Sequence, residues 1–388
     1  LFALVIGACL LAAIGLAVTS DGTDGPGTDA PGGGAAELDA APTPTPYGGW
    51  VDPSSVGEPY GDVVPGVLTF RGNPTRTFYG TGVPTAPQAL WRFPAESAEP
   101  LCSLSTTGPD TVETTEWCGT GWTGQPAIFE RDGQTWVVFG SFASAVHFLD
   151  GDTGERLRPD FAVGDIIKGS VTIDPDGYPI VYVGSRDNFL RAIAFDRPVP
   201  TELWSLDAES IVPRLHDNDW DGTPLVLDDY LFQGGENSQW HIVKLNRGYD
   251  PVSGLATVAP ELVFNAPGWD DELLDAVGDD NVSIESSVAI SGDTIYFTNS
   301  GGLVQGWDIS GVEEGIDPTR VFRFWAGDDS DASVVIDADG FLYVGTEYER
   351  PTDAGTDLGQ IFKLDPSQPD DPVVWSLPAQ VRLPDGVW

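Results

Sequence analysis

One pattern recurs five times between residues 120 and 377, and it leaves the chain few folds to choose from. Each copy is a short apolar strand, a turn holding Asp or Gly, a β-rich strand ending near Gly, a loop, and an apolar strand closing on Asp or Asn. The copies open with QPAIFERDGQTWVVFGS, GSVTIDPDGYPIVYVGS, GTPLVLDDYLFQGG, SSVAISGDTIYFTNS and ASVVIDADGFLYVGT. They close at Asp150, Asp196, Asn246, Asp308 and Asp365, so the closing residues lie 46, 50, 62 and 57 positions apart. Several copies are followed by a further aromatic strand, such as residues 202–206 (ELWSL) or 373–377 (VVWSL).

Four short strands per unit at this period is the signature of a β-propeller blade. Val181-Tyr182-Val183 and Leu342-Tyr343-Val344 are β-branched and aromatic, as strands prefer. Asp132-Gly133, Asp176-Gly177 and Asp339-Gly340 supply the positive-φ residues of tight hairpins. With 47 Gly, 32 Pro and 13 Trp, the composition excludes coiled coils and helical solenoids. The expected fold is all-β: four-stranded antiparallel blades, about five plus a partial one. Residues 383–388 stand where a next unit's first strand should begin, and its closing Asp would fall at 411 or later. A propeller hides its strand edges by closing, so the ring is expected to be incomplete in this chain.

From residue 65 to 388 the chain resembles the PQQ-like (pyrroloquinoline-quinone repeat) β-propeller family. The resemblance lies in Tyr-Val-Gly, a loop, Leu-x-Ala and a closing Asp, then a Trp strand. Asp150-Gly151-Asp152-Thr153-Gly154 is similar to the Asp-x-x-Thr-Gly turn of those repeats, without the Trp that follows there. Residues 69–73 (TFRGN) through 89–93 (ALWRF) resemble the opening segment of such domains, which contributes a final strand without its own blade. The resemblance implies one of two functions. Catalytic members hold PQQ and calcium on the propeller axis; members without the cofactor set serve as binding scaffolds. The adjacent-cysteine disulfide of the alcohol-oxidising branch is absent, and Lys and Arg total only 18 for a tricarboxylate cofactor.

The net charge of −42 excludes polyanionic partners, nucleic acid above all. Residues 1–18 (LFALVIGACLLAAIGLAV) are apolar or glycine throughout, nearly enough to span a bilayer as a helix. A retained anchor, a cleaved signal peptide and lipidation at Cys9 all remain open, and each exports the remainder. The acidic flank 21–30 agrees with an external location. Residues 21–46, rich in Gly, Pro, Asp and Thr, read as a tether.

Cys102 and Cys118 sit in a Gly/Ser/Thr-rich insertion and outside the cytoplasm are expected to pair as a disulfide. His147, His216 and His241 are scattered without zinc-binding spacing and read as satisfied strand or loop residues. There is no nucleophile elbow, phosphate loop or dinucleotide fingerprint. One motif stands out: residues 217–228 (DNDWDGTPLVLD) read Asp-x-Asp-x-Asp-Gly with a carboxylate at position 12. Calcium needs several hard oxygens from a short loop with Gly at the bend. Asp217, Asp219, Asp221, the Thr223 carbonyl and Asp228 are therefore the expected ligands of a structural calcium ion.

The expected organisation is a transmembrane anchor or signal over 1–20, a linker over 21–60 and a PQQ-like propeller over 61–388. The expected function is a non-catalytic scaffold outside a cell membrane, single-pass if the anchor is retained and secreted if it is cleaved. It would bind an extracytoplasmic protein, a small molecule or a glycan, and meet the membrane through its N-terminal helix only. The alternative is a PQQ- and calcium-dependent dehydrogenase oxidising an alcohol or sugar.

Overall fold

The computed structural model describes residues 47–388 apart from 83, 84, 86, 96, 97, 107–113, 122, 123, 351 and 378–388. The apolar stretch, the linker up to residue 46 and the terminal 378–388 lie outside the described residues. Among the described residues no helix is long and apolar enough to cross a membrane.

Each of the five repeat copies forms one antiparallel sheet whose strands follow chain order. The first sheet is Ala127–Arg131, Gln134–Ser141, Ala145–Asp150 and Arg156–Ala162; the second is Thr172–Ile173, Ile180–Gly184, Phe189–Ala194 and Thr201–Asp207. The third is Leu225–Leu227, Tyr230–Gly234, Gln239–Lys244 and Glu261–Pro267. The fourth is Ala289–Ser291, Thr294–Phe297, Leu303–Asp308 and Thr319–Trp325; the fifth is Val335–Ile336, Leu342–Gly345, Ile361–Leu364 and Val373–Ser376. Second strands such as Ile180–Gly184 and Tyr230–Gly234 are buried on both faces, whereas the fourth strands are largely half-exposed. Sheets stacked face to face bury their middles and leave their outer edges to solvent.

Glycine at the end of the second strand sets how closely one sheet approaches the next. A Cβ on Gly140, Gly184 or Gly234 would stand 2.2 Å from Ile167, Trp220 or Ile284, each in the segment leading into the following sheet. The Asp-Gly turns differ from expectation. Asp132 (φ 53°) and Gly133 (φ 74°) make the tight hairpin. At Asp176-Gly177 and Asp339-Gly340 only the glycine has positive φ, because the Asp174 and Asp337 carboxylates accept the Asp176 and Asp339 amides at 3.0 Å and shape a longer turn.

The first strands gather on one segment that precedes the repeats. Gly66 and Val67 pair with Phe129 and Ile128 of the first sheet. The Leu68, Pro74 and Thr75 carbonyls accept the amides of Ile173, Ile290 and Ile336 in the second, fourth and fifth sheets. The Tyr60 hydroxyl donates to the Val226 carbonyl at 2.5 Å and accepts its amide at 2.8 Å in the third. Ile128, Ile173, Val226, Ile290 and Ile336 occupy the same place in their repeats, so residues 60–76 form a hub for all five sheets. Arg76 is fully buried in it, donating to the Val288 and Phe70 carbonyls at 2.8 Å each. The opening segment, residues 69–73 through 89–93, was expected to contribute a final strand, but no strand falls among its described residues. The strand just ahead of it, Gly66–Val67, lies on the edge of the first sheet beside Ala127–Arg131.

Cys102 and Cys118 form a disulfide, S–S 2.03 Å. They face each other across a hairpin, Cys102–Thr106 against Thr114–Cys118, rather than in an irregular loop. Ser103 fixes the hairpin to the first sheet by donating to the Phe142 carbonyl at 2.6 Å.

Candidate functional site: an acidic recess ahead of the first strands

Two residues before each first strand stand Gln125, Ser170, Thr223, Ser287 and Ser333, and their hydrogen bonds pass from sheet to sheet. The Gln125 amide donates to Ser170 Oγ at 2.7 Å, the Thr223 amide to Ser287 Oγ at 2.9 Å, and the Ser287 amide to Ser333 Oγ at 2.8 Å. Two residues earlier in the second to fifth repeats stand Lys168, Asp221, Glu285 and Asp331. A repeating backbone therefore delivers one charged side chain per sheet to the same level. The hub meets the same sheets five residues further along the chain, at the second residue of each first strand.

Lys168 Nζ lies 2.5 Å from Asp221 Oδ2, 3.5 Å from Glu236 Oε1 and 3.9 Å from Asp219 Oδ2. Arg186 Nε is 2.8 Å from Asp219 Oδ2. Next to this group, Ser300 Oγ lies 3.4 Å from Glu285 Oε1 and 3.2 Å from Asp331 Oδ1, and Ser283 Oγ donates to Glu285 at 3.0 Å. Asp329 and Glu347, 5% and 6% exposed, complete the cluster, with Arg350 Nη1 3.6 Å from Asp329 Oδ2. Desolvation is the leading cause holding Asp219, Glu236, Glu285, Asp329 and Asp331 above the ordinary carboxylate range, and neighbouring carboxylates reinforce it. Desolvation, with Glu349 and Glu285 nearby, pushes Glu347 up to about 7. Lys168 stays charged: its facing carboxylates, Asp221 first, outweigh its own desolvation and raise it.

Of the residues expected to bind calcium, the structure brings Asp219 and Asp221 together and adds Glu236; their ligand atoms lie within 4.8 Å of one another. Asp228 (φ 50°) sits in the turn between Leu225–Leu227 and Tyr230–Gly234, at the far end of the strand from Asp221. Asp217 lines a neighbouring cleft of about 400 Å³ with Arg186, Arg214 and His216. Thr223 lies in the hydroxyl series, its amide on Ser287. Lys168, Glu236, Glu285, Asp329, Asp331 and Glu347 were missed by reading the loop linearly. Superposing the repeats, 168 on 221, 285 and 331, would have found the series.

A second constellation has the form of a nucleophile, base and carboxylate. Ser141 Oγ is 2.8 Å from His147 Nε2, and His147 Nδ1 is 3.1 Å from Asp160 Oδ1. Hydrogen bonds from His147 and Arg156 outweigh desolvation and pull Asp160 down to about 2. Two observations make this a brace. Ser141 is fully buried and also accepts the Ala143 amide at 3.2 Å. In the second sheet the same places hold Ser185 and Arg191, and Arg191 bridges Ser185 at 2.8 Å to Glu202 on the outer strand at 2.9 Å. His147 is the strand residue expected, hydrogen-bonded through Nε2 to Ser141, with its Nδ1 in an ion-pair contact to Asp160 rather than a hydrogen bond of good geometry. His241 is not satisfied: it is fully buried with neither ring nitrogen hydrogen-bonded, and desolvation drives it down to about 3.

No family model matches the chain, and no curated protein matches it. Among solved structures the chain is similar to the crystal structure of BamB from Moraxella catarrhalis, at 14% identity and a TM-score of 0.37 over 60% of this chain. The match spans 63% of that protein's chain, a little under two thirds of its length.

Proposed function

We propose that the chain is a membrane-tethered, extracytoplasmic β-propeller of the PQQ-like repeat kind that binds a ligand or partner and catalyses no reaction of its own. The acidic recess carries this reading. It sits where the sheets converge, and it is built of binding groups rather than of a nucleophile with its base. Among the described residues it sets seven carboxylates against Lys168, Arg186 and Arg350. A tricarboxylate such as PQQ does not fit this donor set, because it would face a surplus of like charge at short range. Calcium, the structural ion expected of residues 217–228, would find Asp219, Asp221 and Glu236 as donors only by displacing the Lys168 ammonium from their midst. The apolar residues 1–18 and the tether after them support the location, and the charge of −42 supports a partner that is not a polyanion.

Two measurements test the reading. Purified protein supplied with PQQ and calcium should reduce no redox dye when offered alcohols or sugars; turnover above that of boiled protein would overturn the non-catalytic assignment. The protein should stay with membranes through a high-salt wash and leave them in detergent, since burial of an apolar helix is insensitive to ionic strength. Release by salt alone would remove the anchor from the proposal.

A further inference from the structure

The third and fifth sheets carry the same three carboxylates at the same three repeat positions. Asp219 and Asp329 stand six residues before the first strand, Asp221 and Asp331 four before it, and Glu236 and Glu347 two past the second strand. Each trio receives a guanidinium on its first member, Arg186 at 2.8 Å from Asp219 and Arg350 at 3.6 Å from Asp329. They differ in the residue delivered by the preceding sheet. In the third sheet's trio that residue is Lys168, whose ammonium touches all three carboxylates. In the fifth sheet's trio the same repeat position supplies Glu285, a fourth carboxylate.

The molecule thus displays one trio that surrounds an ammonium and a second trio that no ion pair among the described residues joins to one; of the second group, Glu285 alone feels the Lys168 charge. In the second, Asp329 Oδ1 and Glu347 Oε1 are buried and have no hydrogen-bond partner; in the first, Asp219 Oδ2 likewise lacks one but faces the Arg186 and Lys168 cations at 2.8 and 3.9 Å. A buried carboxylate oxygen left unpaired costs more than the net worth of the bond it lacks. Glu285 and Asp331 each keep partial exposure, which leaves this group of carboxylates a route to solvent.

We propose that an external alkylammonium group docks among Glu285, Asp329, Asp331 and Glu347, in the way Lys168 docks among Asp219, Asp221 and Glu236. This deepens the binding reading above by naming the ligand's chemistry, and rests on it. An ammonium donates three hydrogen bonds from one compact charge. No three of these carboxylates have ligand atoms as close together as those of the Lys168 trio, which lie within 4.8 Å of one another. The group is either a free polyamine or a lysine side chain of a partner.

Isothermal titration of the full chain at fixed ionic strength tests this with spermidine, acetyl-Gly-Lys-Gly-amide, tetramethylammonium chloride and calcium chloride. Spermidine should bind saturably with one tight site, weakened at least tenfold by Glu347→Gln and by Asp331→Asn. The double variant Glu313→Gln/Glu314→Gln, on a turn outside the recess, removes more charge and should stay within twofold of wild type. Tripeptide binding as tight as that of spermidine assigns the recess to lysine side chains, and tighter spermidine assigns it to free polyamines. Equal weakening in the Glu313/Glu314 variant would show diffuse attraction to an acidic protein. A match by tetramethylammonium, which donates no hydrogen bond, or calcium binding without spermidine binding would equally overturn the proposal. Circular dichroism of each variant checks that it is folded. Dye turnover bears only on the non-catalytic reading, so the two assignments fail separately.

Discussion

Lys168 is held by three carboxylates, and removing it leaves them facing one another with only Arg186 nearby. Breaking a buried ion cluster by deleting one partner typically costs about 3–5 kcal/mol. Lys168→Met should therefore lower stability by that order at pH 8 in urea melts. It should also create a calcium response: millimolar calcium should raise the melting temperature of the variant and leave the wild type unmoved. A wild-type shift as large as the variant's would show that the ion displaces the lysine unaided. Ser141 offers a contrasting test. Since it is sealed from solvent, an activated-serine probe such as a fluorophosphonate should not label it, and labelling abolished by Ser141→Ala would turn the brace into a nucleophile. At this scale the sequence was half legible. Asp219 and Asp221 stood out because they are neighbours in the chain, whereas Glu236 arrives from the next hairpin and Lys168 from the previous sheet, and no linear motif joins them.

The elements were the most legible part, for a physical reason. Each strand needs apolar residues on both faces where sheets stack, and each turn needs Asp or Gly, so the pattern is written locally in every copy. The hub was not legible. Residues 60–76 hold their place through backbone carbonyls and the Tyr60 hydroxyl, and a carbonyl leaves no trace in side-chain periodicity. The hairpin Cys102–Thr106/Thr114–Cys118 read as a loop because its Ser and Thr residues have the composition of one. Glycine at the second-strand end is the most exacting contact between elements. In Gly184→Ala the new methyl would meet Trp220 Cβ at 2.2 Å and the Trp220 carbonyl oxygen at 2.7 Å, so the second and third sheets must part. Overpacking of this kind costs about 1–3 kcal/mol, measurable as an earlier urea midpoint with an unchanged slope. Gly133→Ala meets nothing within 4 Å, but its φ of 74° keeps it from being neutral, so the informative comparison is between the two variants. If Gly184→Ala is the milder, sheet spacing is not what that glycine secures.

For the whole molecule the recess makes stability depend on pH in a direction opposite to that of an ordinary acidic protein with paired carboxylates. Carboxyl groups raised in the folded state bind more protons there than in the unfolded chain, so their effect is destabilising above the folded value and fades as pH falls toward the unfolded one. Glu347, raised from 4.5 to about 7, sets the window: its penalty is complete above pH 7 and gone near 4.5. That shift corresponds to at most about 3 kcal/mol. Asp219, Glu236, Glu285, Asp329 and Asp331 shift in the same direction. His241 works against them: lowered from 6.5 to about 3, it binds protons more readily unfolded, and costs stability as pH falls below 6.5. Asp174 is raised as well, and His216 is lowered like His241. Asp160, Asp187 and Asp270, held below their ordinary value of 3.8, withdraw stability only as pH falls below it. The raised carboxyls outnumber the imidazoles and place the optimum on the acid side of neutrality. The melting temperature should rise by several degrees between pH 8 and about pH 5.5, and salt should add more at pH 8, where the charge of −42 is least relieved. Glu347→Gln should flatten part of that rise, being more stable than wild type at pH 8 and indistinguishable from it near pH 4.5. A melting temperature that falls steadily from pH 8 to 5.5 would mean that the recess carboxylates are fully compensated within the fold. In that case the fifth sheet's trio would have no need of a cation from outside.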